Sequence, residues 1–237
     1  MRPLLALYRT LLRTIDTRAR RWSFVVLGLV GVAVAWAVST SFFVEPVPDA
    51  VSLLDLFNLT FLAPVAGLVF GTAALGDPTD DNTLVYLWLR PVARWKIVVA
   101  AVAAAATYVV PFAVVPAVAE AMIVAGTPEV VRAAAISSVV AGLAYSAAFV
   151  LLGLVSRRSL VWGIGYLLIF ESFVARGGSS LGALSIHAHA ASVLARTSGV
   201  KLRLGYFSTV TGVVVCLAIT VLATAVTTRR LARAEVP

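Results

Sequence analysis

Residues 97–124 read IVVAAVAAAATYVVPFAVVPAVAEAMIV, and Glu120 is their only charged side chain. A run this long crosses a hydrocarbon core of about 30 Å once, whereas two crossings would need about 40 residues. Pro111 and Pro116 lie inside it, so the run predicts one membrane helix, kinked or broken at the prolines. Five more apolar runs accompany it, at about Phe24–Val44, Leu56–Leu75, Ala133–Val155, Leu160–Ala175 and Phe207–Thr227. The fifth is short and interrupted by Glu171, which suits a segment that crosses only part of the bilayer. The expected fold is an all-α integral membrane protein with six transmembrane helices, forming one domain over residues 1–237.

Composition agrees with this. The chain is 61% hydrophobic and only 13% charged, with a mean hydropathy of +0.99, which excludes a water-soluble globular enzyme. Lys and Arg number 19 against 11 Asp and Glu, for a net charge of +8. In a membrane chain that excess points to cytoplasmic anchoring, and no basic run interleaved with stacking aromatics suggests nucleic acid. Cys216 is the single cysteine, so neither an intramolecular disulfide nor a cysteine-based metal site can form.

The leader, residues 1–21, has a pattern of its own. Leu4, Leu5, Tyr8, Leu11, Leu12 and Ile15 fall on one helical face and Arg2, Arg9, Arg13, Asp16 and Arg20 on the other, as in an amphipathic helix lying at a membrane surface. The alternative is a secretory signal with a weak cleavage site at Ala37-Val38-Ser39, but a signal has a shorter apolar region. With six spans and both termini in the cytoplasm, fourteen of the nineteen basic residues fall inside. Arg132, Arg176, Arg196, Lys201 and Arg203 are left outside, a bias that fits the positive-inside rule. Trp22, Trp88, Trp95 and Trp162 fall near the cytoplasmic boundary. The expected location is therefore the cytoplasmic membrane.

Two connections are long. Residues 176–206 form a mildly polar outer stretch, expected to make re-entrant helices between spans five and six. Residues 76–96 form a cytoplasmic loop, GDPTDDNTLVYLWLRPVARWK. Within it, Asp80 and Asp81 would place negative charge at the positive end of a short helix that Asn82 or Thr83 caps. Leu84, Leu87 and Trp88 would line one face, Arg90 would sit at the carboxyl end, and Pro91 would stop the helix before Arg94 and Lys96.

At Asp80-Asp81-Asn82-Thr83-Leu84 and Arg90-Pro91-Val92-Ala93-Arg94 the chain resembles the permeases of type-2 ATP-binding-cassette (ABC) transporters. In that family an acidic cluster, a Gly-Thr-Leu start, a leucine-rich short helix and a Pro-Val-Ser-Arg-like turn occupy the same loop. Here Asn82 replaces the glycine and Ala93 the serine. The resemblance extends to the amphipathic leader, the six spans and the outer re-entrant segment. It implies that Asp80, Asp81, Thr83, Leu84, Leu87, Trp88, Arg90, Pro91 and Arg94 form a coupling helix that docks on a separate nucleotide-binding ATPase. It further implies that ATP and magnesium are bound by that partner and not by this chain, that a second permease chain completes the core, and that a hydrophobic or amphiphilic cargo is exported. A membrane anchor that recruits a cytosolic protein would use the same loop without moving cargo; only in a transporter would cargo change the partner's ATPase rate.

Other chemistry is thinly represented. No Gly-x-x-x-x-Gly-Lys-Ser/Thr and no His-Glu-x-x-His occurs, which argues against P-loop nucleotide hydrolysis or a zinc-dependent intramembrane hydrolase in this chain. His187 and His189 diverge by about 200° on a helix and make a poor metal site, so solvated or interfacial histidines are expected. Glu120 and Glu171 have two readings. They line the outer mouth of a translocation path, or they pair at the headgroups with Arg132 and Arg176 respectively.

Overall fold

The computed structural model describes residues 2–41, 44–80, 92–171 and 178–233, and within them every regular element is a helix. Helix α1 is Arg2–Ile15 and α2 is Arg18–Ser39. Helix α3 is a continuous helical stretch from Pro46 that alternates α and π geometry: α over Pro46–Leu53, π over Leu54–Leu62, α over Ala63–Ala66, π over Gly67–Gly71 and α over Thr72–Asp80. Then come α4 (Arg94–Val124), α5 (Pro128–Val155) and α6, which is α over Ser159–Gly165 and π over Tyr166–Glu171. Helices α7 (Ser179–Gly182), α8 (Ile186–Ser198) and α9 (Thr209–Arg233) complete the described chain.

Five of these, α2, α3, α4, α5 and α9, are long and apolar enough to cross a membrane. The protein is thus an all-helical, multi-pass membrane protein. At 1.5 Å per residue the 13-residue α6 rises only about 20 Å, short of a full crossing.

Several expected boundaries move. The break between leader and first span falls at Asp16 and Thr17, not after residue 21, because the Thr17 hydroxyl accepts from the amide of Arg20 (3.3 Å) and winds the basic residues into α2. Helix α3 extends through Gly76 to Asp80, so the loop expected over 76–96 starts later, and Arg94 and Lys96 already belong to α4. Pro111 and Pro116 remain inside one helix. Helix α9 continues past the apolar run through Arg229, Arg230 and Arg233.

Helix α5 is the centre of the packing, touching α3, α4, α6, α8 and α9. In its most apolar window 61% of residues are buried, against 22% in α2 and 11% in α9, so those two present broad apolar faces outward, as lipid-facing helices do. Close approach to α5 depends on glycine. A Cβ on Gly153 would run into the Thr72 carbonyl oxygen and come within 2.9 Å of the Thr72 Cα, and one on Gly71 would lie 2.8 Å from the Phe149 Cβ. Phe24 of α2, Phe70 of α3 and Phe112 of α4 meet with ring centroids 5.2–5.8 Å apart. Tyr108 stacks on Phe70 at 5.1 Å, completing the aromatic cluster.

At one end of the bundle α1 lies against α4 and the last turns of α3. Leu7, Leu11 and Ile15, spaced four apart, are fully buried there with Ala73, Ala74, Leu75, Ile97, Val98, Val150 and Leu231. Tyr8 and Thr107 share a hydroxyl hydrogen bond of 2.9 Å, and Arg20 donates to Asp77 at 3.1 Å. The arginine-bearing ends of α1, α2, α4 and α9 therefore gather at one end of the molecule.

The α3–α5 contact yields a first prediction. Gly153→Ala should lower the unfolding midpoint of the detergent-solubilised protein, because overpacking against backbone costs about 1–3 kcal/mol. Gly165→Ala, where a Cβ meets nothing within 4 Å, should leave it unchanged or slightly higher. Equal midpoints for wild type and Gly153→Ala would contradict the packing described.

Candidate functional site: a buried polar seam

The polar residues that the fold buries line up between α3, α4, α5, α6 and α8. At one end of this seam the Glu171 carboxylate, at the end of α6, sits on the amino terminus of α8. It accepts from the Tyr166 hydroxyl (2.7 Å), the Ser185 hydroxyl, and the amides of Ile186 (3.2 Å) and His187 (3.3 Å). The first amides of a helix have no partner within it, and the aligned peptide dipoles favour negative charge at that point. Ser185 is also the cap of α8, accepting from Ala188 at 3.0 Å. Glu171 therefore locks α6 to α8 through the protein itself. Its expected headgroup partner, Arg176, lies outside the described residues.

His187 occupies the next position. Its Nε2 is 2.8 Å from Asp55 Oδ1 and 3.3 Å from Thr60 Oγ1, while the Thr60 hydroxyl donates to the Asp55 carbonyl at 2.8 Å. That one imidazole nitrogen reaches both residues follows from the π-helical stretch Leu54–Leu62. Hydrogen bonding from i to i+5 brings fifth neighbours into line, whereas in an α-helix residues 55 and 60 would lie about 140° apart. Pro64 supplies a local reason for the widening, since it cannot donate the amide that an α-helix would bring to the Thr60 carbonyl. Asn58, on the same stretch, donates to the Ala113 carbonyl of α4 (2.7 Å) and accepts from Ser138 of α5 (3.2 Å).

Both histidines are 2% exposed, which corrects the expectation that they are solvated or interfacial. They do diverge on their helix. His189 turns away from Asp55, with its Nε2 3.0 Å from the Ala183 carbonyl and its ring stacked on Phe207 at 4.5 Å. Among the described residues no three His, Cys, Asp or Glu side chains converge as metal ligands. Nor is a hydroxyl–imidazole–carboxylate relay formed, because Asp55 and Thr60 use the same ring nitrogen, not opposite ones.

Glu120 stands apart on α4. It is fully buried, and neither carboxyl oxygen has a hydrogen-bond partner among the described residues. The expected pairing with Arg132 is not made; Arg132 instead binds Glu129 one turn away, at 3.3 Å. The reason is geometric. Glu120 points at α2, where Gly31 leaves so little room that a Cβ would run into the Glu120 carboxyl and the Phe57 ring. Of the residues expected to form the coupling element, Asp80 ends α3 and Arg94 begins α4. Asp81, Thr83, Leu84, Leu87, Trp88, Arg90 and Pro91 lie outside the described residues.

Sequence reasoning singled out Glu120 and Glu171 but missed Asp55, Asn58, Thr60 and Ser185. Asp55 and Asn58 stood at the edge of an apolar run, where polar residues are unremarkable. The usable signal was Pro64, together with three polar residues within one span.

If Glu171 caps α8 as described, Glu171→Ala should strand a buried hydroxyl and two amides, each worth about 1–3 kcal/mol when unsatisfied. The unfolding midpoint in detergent should fall clearly, and Glu171→Gln, which keeps an acceptor, should fall less. Two variants of wild-type stability would remove the cap from the account.

No protein-family model and no curated protein matches the chain, and its function is read from the residues and their geometry.

Proposed function

We propose that this chain is the permease subunit of an ATP-driven exporter of the type-2 ATP-binding-cassette kind, with six membrane passages, α6 and the residues after it counting as the fifth. Both termini lie in the cytoplasm, a separate ATPase binds at the loop 81–91, and a second permease chain completes the core. The observation that carries the reading is the mechanical continuity at the basic end. The residues expected to form the coupling element lie in sequence between α3 and α4, and these two helices share one apolar core with the amphipathic α1. A push on the loop would therefore reach α3, α4 and α1 together.

The seam supports the same reading from the other end. Helix α8 lies against α5 and α9 before the last span, in keeping with a re-entrant outer segment. Asp55, with 23% of its side chain exposed, gives the buried network an opening. A cargo with an apolar body and a polar group would meet Asp55 first and then the His187 and Glu171 contacts behind it. Glu120, which faces α2 instead, belongs to this path only if α2 moves away from α4.

Two measurements test the reading. Cysteines placed at the exposed positions Arg157 and Ser179, in a Cys216→Ala background, should be labelled from opposite sides of the membrane. Labelling of both by an impermeant outside reagent removes the six-passage topology. In the loop, Leu87→Asp should release the ATPase in a pull-down or make it insensitive to cargo. An apolar side chain lost from a desolvated groove costs about 2 kcal/mol or more, and the new charge adds to that. Arg90→Ala should act more mildly, by about 0.3–1 kcal/mol. Unchanged binding and unchanged stimulation in Leu87→Asp, at equal membrane levels, would withdraw the coupling role.

A further inference from the structure

Two cavities lie side by side, with Val155 in the lining of both. The first, of about 590 Å³, lies between α5, α6, α8 and α9 and is lined by apolar and aromatic groups including Phe149, Leu152, Trp162, Tyr166 and Ile219. Along α5 its lining runs from Ala148 to Ser156, about 12 Å, and at the far side it reaches Ile186. That length is close to the ~15 Å hydrocarbon depth of one leaflet. The second, of about 520 Å³, is lined by Leu154, Val155, Arg230 and Arg233. Among the described residues no carboxylate forms an ion pair with either arginine. Arg157 and Arg158 follow directly in the exposed turn between α5 and α6.

We infer that these neighbouring cavities together hold one anionic phospholipid, its acyl chain in the groove between α5 and α6 and its phosphate against Arg230 and Arg233. The chemistry at the two ends is what selects the occupant. An apolar channel one leaflet deep takes a hydrocarbon chain, and two exposed guanidiniums at its basic mouth take a phosphate at the level where anionic headgroups lie. A neutral lipid would leave the arginines unpaired, and a soluble phosphate would leave the apolar channel empty. The inference rests on membrane insertion and not on ATP-driven transport, so it stands or falls separately from the function proposed above.

The test uses the full chain in phosphatidylcholine vesicles containing increasing fractions of phosphatidylglycerol brominated on its acyl chain. The readout is Trp162 emission, taken as the difference between wild type and Trp162→Phe. Quenching should saturate at low mole fraction with brominated phosphatidylglycerol, whereas brominated phosphatidylcholine should quench only in proportion to its abundance. Arg230→Gln with Arg233→Gln should raise the half-saturating fraction about fivefold for each arginine removed. Both side chains are exposed, so this variant should fold. Leu152→Trp, which fills the channel and is read against the same protein carrying Trp162→Phe, should also abolish the saturable phase with the arginines intact. Equal quenching by the two lipids, or an unchanged midpoint in the double arginine variant, overturns the site. Saturable preference retained in a folded Leu152→Trp protein would mean that the arginines attract headgroups without a seated chain, and would overturn it as well.

Discussion

Hydrocarbon offers no hydrogen-bond partner, so each polar group this chain carries into the membrane must find one inside the protein. Helices meet that demand for the backbone. Hydroxyl side chains meet it by turning back on their own helix: Ser137, Ser146, Ser192 and Thr227 each donate to the carbonyl four residues earlier, at 2.6–2.7 Å. The groups that cannot satisfy themselves locally hold the tertiary structure together. Asn58 ties α3 to α4 and α5, His187 ties α8 to α3, and Glu171 ties α6 to α8. Glu120 alone among the described membrane carboxyls has no such tie, and it lies between α2 and α4.

Packing obeys a second rule, that apolar side chains gain little from each other when the surrounding lipid is equally apolar. Close backbone contact then carries more of the association, and the central helix α5 is built for it. Its buried face carries Ala133, Ala134, Ser137, Ser138, Ala141, Gly142, Ala144 and Gly153, and Tyr145 and Phe149 fill the space left beside Gly67 and Gly71. Helices α2 and α9 contribute far less to this core and keep most of their bulk outward. They are the elements best placed to shift against the centre, or to receive a second chain.

The two ends of the molecule differ in chemistry. At the basic end, arginines gather around an apolar core shared by α1, α3, α4, α5 and α9, and the opening between α5 and α9 exposes Arg230 and Arg233. Toward the other end the enclosed carboxylates Glu171 and Asp55 are met by a helix terminus and an imidazole in place of arginine, while Arg132, Arg196, Lys201 and Arg203 stay exposed. Charge concentrated where headgroups lie, and neutralised where they do not, is the distribution a membrane imposes.

Residue type and periodicity were enough to determine the helical class, five long apolar helices and the clustering of basic residues, because each depends only on length, hydropathy and the 3.6-residue repeat. The apolar stripe of α1 was equally legible, although which part of it presses on protein was not; Leu7 joined Leu11 and Ile15 there, while Leu5 stayed half exposed. What only the tertiary structure decided was partnership. Arg132 stood twelve residues from Glu120 and looked like its counter-ion, yet the start of α5 turns it to Glu129. Asp55 and His187 are separated by 132 positions, and no local rule joins them. Their contact depends on π-helical turns that bring residues 55 and 60 into line, and on a return helix whose amino terminus is fixed by Glu171. Periodicity assumes an α-helix and reads one segment at a time, whereas a buried polar contact depends on how two segments are rotated and how deeply each is set.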